Sequence, residues 1–108
     1  MANIDTILKS IEDQSKALAE KLFKQYTHQA VSDVRDFLQK STFNLKRWVE
    51  ELVRGDLDKD EFESLVKGQA DVAEMRALKR AGLAAVQIDT FTNGLLDIIV
   101  SAAFAAIP

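Results

Sequence analysis

Cysteine is absent from the 108 residues, proline occurs once and glycine four times. Without cysteine there are no disulfides, no thiolate nucleophile and no Cys-based zinc site, which agrees with a reducing cytoplasm. With so few turn-forming residues the chain lacks the many reversals of an all-β protein, and helices are expected instead. Histidine is nearly absent as well, with His28 alone. A helical di-metal centre wants a Glu with a His three residues on, repeated on a second helix. Gln25 stands where that Glu belongs and no second His exists, so neither a metal nor another cofactor is expected. The first residues, Met1 to Asp5, lack the basic start and apolar run of a secretory signal, and a cytoplasmic location is expected.

A strong charge of one sign is also missing. The formal balance is -3, with residues 1–54 carrying nine basic and eight acidic side chains and residues 55–108 five and nine. Neither half offers the basic stripe that nucleic-acid binding needs, so nucleic acid is not expected as a partner. Hydrophobic residues make up 47% and charged residues 29%, which excludes a disordered chain. The length fits a single all-helical domain, 1–108.

What is present is helical periodicity. From Asn3 to Arg54 no glycine or proline interrupts the chain. Ile4, Leu8, Ile11, Leu18 and Leu22 follow a heptad-like seam in which Ser15 is the polar member. Val34, Leu38, Leu45, Trp48 and Leu52 follow another, with Ser41 in the same role. Between the seams the step lengthens to four residues, Leu22, Tyr26, Ala30 and Val34, which marks either a stutter or a break near Thr27–Val31. Asn3 or Asp5 suits the N-cap of the first helix.

The clearest punctuation lies at Arg54-Gly55-Asp56-Leu57-Asp58-Lys59-Asp60-Glu61-Phe62. Gly55 occupies the left-handed closing position of one helix, and Asp58 with Glu61 form a capping box for the next. Leu57 and Phe62 flank that cap as a hydrophobic staple. The expected fold is therefore all-α: an antiparallel hairpin with arms 3–54 and 58–107 joined by a central turn at 55–58. Each arm is either one long helix, two hairpins then dimerising into a four-helix core, or is broken so that four shorter helices form one bundle. Lys79-Arg80-Ala81-Gly82 is the candidate break in the second arm.

The second arm ends unusually apolar. From Ala81 to Pro108 only Asp89 and Asp97 are charged, and 18 of 28 residues are hydrophobic. One face reads Ala84, Ile88, Phe91, Leu95, Ile98, Ala102, Ala105; a second reads Leu96, Val100, Ala103, Ile107. A helix apolar on two faces must be buried on two sides. Asn93, Gly94 and Asp97 interrupt the stretch, and a central Asp costs about 3 kcal/mol on membrane insertion. A transmembrane span is not expected, although contact with a membrane surface stays open.

Motifs that suggest chemistry do not complete. Asp56, Asp58 and Asp60 have the spacing that opens a calcium loop of the EF-hand type, but Glu61 replaces its glycine and Lys67 its bidentate glutamate. Arg54-Gly55-Asp56 spells an adhesion tripeptide, yet each residue has a structural role in the reversal. Lys46 and Arg47 precede Glu50 and Glu51 by four residues, the spacing of helix-surface pairs. No catalytic residue is expected. The sequence implies a non-enzymatic helical interaction or assembly module that homo-oligomerises, most simply as a dimer. Interface candidates are Ile88, Phe91, Leu95, Leu96, Ile98, Val100, Ile107, Phe37, Phe43 and Trp48. The other reading is a bundle that binds a lipid, a membrane surface or an apolar ligand through its apolar C-terminal helix.

Overall fold

The computed structural model describes residues 4–107 and is all-α among them. Of the two forms open to the sequence, the chain adopts the shorter-helix bundle. Helix α1 spans Ile4–Leu22, α2 Thr27–Arg54, α3 Lys59–Lys67, α4 Arg76–Arg80 and α5 Ala85–Ala105, with 3₁₀ turns at Lys24–Tyr26 and Gly68–Asp71. Asn3, one of the two expected caps of α1, lies outside the described residues. Asp5 lies in the first turn of α1, where its negative charge suits the helix dipole.

The first arm breaks where Phe23 leaves the helix. Its backbone turns to φ -140° and ψ 56°, and the ring enters the core 5.5 Å from that of Phe91. The break is closed by hydrogen bonds from Phe23 N–H to the Ala19 carbonyl (2.7 Å) and from Tyr26 N–H to the Phe23 carbonyl (2.6 Å). It therefore falls just before the Thr27–Val31 neighbourhood that the altered periodicity marks.

The central reversal forms as its residues dictate. Gly55 takes φ +83°, and the amides of Asp56 and Leu57 both donate to the Glu51 carbonyl. Glu61 N–H donates to Asp58 Oδ1 (2.8 Å) while Asp58 N–H donates to Glu61 Oε1 (3.0 Å), so the capping box is complete. Phe62 is fully buried, with its ring 5.8 Å from that of Phe104.

The second arm breaks twice, once over residues 68–75 and again at 81–84. Gly82 takes φ +89° and closes α4 as the sequence suggests. The earlier break ends at Met75, which holds the left-handed conformation (φ 51°, ψ 46°) although it is not glycine. Asp33, buried in the second turn of α2, supplies what α4 lacks. Its Oδ1 accepts from Ala77 N–H and its Oδ2 from Leu78 N–H, both at 2.9 Å. Both are amides of a first helical turn that has no intrahelical acceptor to offer them.

These pieces make an up-down-up-down four-helix bundle in which α3 and α4 together occupy the third position. Helix α1 packs against α2 and α5, and the α3–α4 pair packs against the same two. The bundle measures 42 × 22 × 19 Å, its long axis matching the roughly 42 Å of a 28-residue helix such as α2. Helix α1 presses on α5 at Gly94, where an added Cβ would meet a Leu18 methyl at 2.6 Å. Helix α5 is buried on two sides, by Ile88, Phe91, Leu95 and Ala102 on one and Leu96, Val100 and Ala103 on the other. Phe37 lies off the main seam of α2 but is 1% exposed, because α4 covers a third side of that helix.

Both polar seam positions are sealed into this core. Ser15 and Ser41 are each 1% exposed, and neither hydroxyl has a hydrogen-bond partner. A hydroxyl buried without a partner costs about 1–3 kcal/mol. Ser15→Ala and Ser41→Ala are each expected to raise the unfolding free energy by about 1 kcal/mol. Urea denaturation reads this as a higher midpoint at unchanged slope. Asp33→Ala has the opposite sign. It strips two amides of a charged acceptor and is expected to lower stability by about 2–3 kcal/mol in the same experiment.

Candidate interaction surface

Among the described residues no three His, Asp or Glu side chains converge on a point where a metal ion could sit. The calcium-like acids serve the turn: Asp58 caps α3, and Asp56 pairs with Arg54 at 3.0 Å. His28 is exposed in the first turn of α2. Of the two helix-surface pairs that the spacing suggests, Arg47 and Glu51 approach to 3.6 Å.

The break in the second arm opens a cleft of about 390 Å³ against α5, lined in part by Asp71, Glu74, Lys79, Asp89 and Thr92. Two of its polar groups have partners within the bundle. Thr92, buried, gives its hydroxyl proton to the Ile88 carbonyl (2.9 Å), and Glu74 is held by Arg76 (2.5 Å) and Lys40 (3.9 Å).

The ten side chains that the sequence offers for an interface separate sharply. Phe37, Trp48, Ile88, Phe91, Leu95, Leu96 and Val100 are buried in the chain's own core, so their apolar character is spent within one molecule. Ile98 and Ile107 are half-buried and pack against that core. Phe43 alone stands in solvent, 74% exposed in the middle of α2. Its position two residues beyond Ser41, off the seam, is the signal that separates it from Trp48.

Three further large apolar side chains are exposed among the described residues: Leu22, Val53 and Val86. Leu22 occupies a seam position, but α1 ends there and Phe23 takes the inward place. At this end of the bundle Leu22, Tyr26 and Leu83 line an open hollow of about 280 Å³, together with Phe23, Lys24 and Gln87. Val86, beside Gln87 in the first turn of α5, is 74% exposed. The end thus carries an apolar depression and, at the residue before one that lines it, an apolar knob.

Helix α5 is long and apolar enough to cross a membrane by length and composition, with a mean hydropathy of 1.3 over its best window. Half of that window is buried in the bundle. No family model, curated protein or solved structure matches the chain.

Proposed function

We propose that this compact helical chain is a non-enzymatic interaction module that pairs with a second copy of itself in the cytoplasm. The observation that carries this reading is Val86, exposed on α5 next to Gln87, which lines the hollow with Leu22, Tyr26 and Leu83. A knob and a hollow on one patch are self-complementary. In a two-fold pair each Val86 seats in the partner's hollow, the reciprocal contact that a closed dimer requires. Lys24 on the rim and Asp89 one turn after Val86 supply opposite charges for the same contact. The long-arm dimer with a shared four-helix core is a different assembly, since here the four-helix core lies within one chain.

The area sets the strength. The end of the bundle is 22 × 19 Å across, about 400 Å² per partner, against roughly 800 Å² in a standard interface. An interface this small belongs with weak, transient contacts. The alternative, lipid binding through α5, needs the bundle to open first, because half of that helix already packs against its neighbours.

Sedimentation velocity over a wide concentration range tests the proposal. The mass is expected to rise from one chain towards two, and Val86→Lys is expected to hold it at one chain with an unchanged melting curve. A monomer mass at every concentration, or a Val86→Lys variant that dimerises as before, contradicts it.

A further inference from the structure

A second surface lies at the middle of α2, about 24 Å along its axis from Thr27. Phe43 projects there from the face opposite the buried seam of Val34, Ser41, Leu45 and Leu52. Residues 37–49 contain Lys40, Lys46 and Arg47 and no acid, which makes this the most uniformly basic stretch of α2. The three cations stand three or four residues from Phe43, so at helical spacing they surround it on the exposed face. Lys40 is shared with Asp36 (3.1 Å) and Glu74 (3.9 Å) and Arg47 with Glu51 (3.6 Å), contacts between exposed groups that contribute little.

Two occupants fail on physical grounds. A second copy would meet like charge in either two-fold arrangement. Packed antiparallel about Phe43, Lys40 faces Lys46 and Asp36 faces Glu50; packed parallel, each charge faces its own counterpart. A protein groove recognises a helix through apolar anchors at i, i+3 or i+4, and i+7. Around Phe43 those positions hold Gln39, Lys40, Lys46, Arg47 and Glu50, so there is one anchor and no series. A lone aromatic ringed by cations fits a deformable anionic surface instead, where lipids rearrange around a single inserted ring.

We propose that this face of α2 docks onto an anionic lipid surface. Phe43 enters the boundary between headgroups and acyl chains, and Lys40, Lys46 and Arg47 lie against the negatively charged headgroups. The helix rests in the plane of the surface and α5 stays in the core. One ring and three cations give weak, reversible attachment, comparable to a single myristoyl chain with an association constant of about 10⁴ M⁻¹. The proposal uses a different surface from the Val86 end and does not depend on pairing.

Vesicle co-sedimentation of the full chain tests it, using phosphatidylcholine vesicles with and without phosphatidylserine. Binding is expected only when phosphatidylserine is present, and is expected to disappear at about 1 M salt, where the screening length falls to about 3 Å. Phe43→Ser is expected to weaken binding about tenfold or more, the effect of one exposed aromatic that no longer enters an apolar phase. Lys46→Glu is expected to weaken it as well, and Val86→Ser to leave it unchanged. Thermal melts of the variants should match the parent, because none of the three side chains belongs to the core. The proposal is overturned if phosphatidylserine vesicles leave the protein in the supernatant, or if Phe43→Ser binds as well as the parent. Binding that survives high salt would point to insertion of α5 and overturns it too. So would binding to soluble polyglutamate that matches binding to vesicles, which would mark an acidic protein as the partner.

Discussion

The bundle depends on one carboxylate. Asp33 sits inside α2, 7% exposed, and accepts hydrogen bonds from two amides that lie 44 and 45 residues further along the chain. Helix α4 has only five residues, far below the length at which a helix persists alone. Its start is further burdened by Met75, whose left-handed backbone costs roughly 1–2 kcal/mol. A charged acceptor placed at the positive end of that short helix offsets both problems. The result keeps Met75 and Leu78 in the core, at 3% and 0% exposure, and fixes the direction from which the chain enters α5.

The interruption of the third bundle position determines what is left outside. Because α3 and α4 together reach both α2 and α5, the apolar C-terminal helix finds cover on two sides within one chain. Its length and composition resemble those of a membrane span, and its burial is that of a bundle core. Among the described residues the large apolar side chains that remain in solvent are few: Phe43 on the flank, Leu22 and Val86 at one end, and Val53 near the central turn. Any recognition by this molecule that uses apolar contact must begin with them, and the charges around each limit what they can meet.

Much of the fold was legible because its signals are local. Gly55, Asp58 and Glu61 act over three or four residues, so the reversal can be read from nine consecutive positions. The seam from Val34 to Leu52 was equally plain, since a 28-residue helix repeats its pattern many times. The remaining breaks are not local. No glycine or proline stands at Phe23; α1 ends there because the ring packs against Phe91, almost seventy residues away. Met75 carries no sign of a left-handed backbone, and nothing near Asp33 marks it as the cap of a distant helix. For the surface, Phe43 was visible as an aromatic off the seam. Phe37 looked similar and is buried, because only the folded chain reveals that α4 covers its side of α2. Leu22 and Val86 were hidden by the opposite error, apolar residues at helix ends where the periodicity runs out.

Native-state amide hydrogen exchange, resolved by residue, tests the central role of Asp33 most directly. If the carboxylate secures α4, the amides of Ala77 and Leu78 exchange slowly, on the scale of the α2 core amides at Leu38 and Leu45, while those of Val72 to Glu74 exchange much faster. Exchange at Ala77 and Leu78 as fast as in that neighbouring turn would contradict the account. It would mean that the third position of the bundle opens freely and that the cap contributes nothing to holding it.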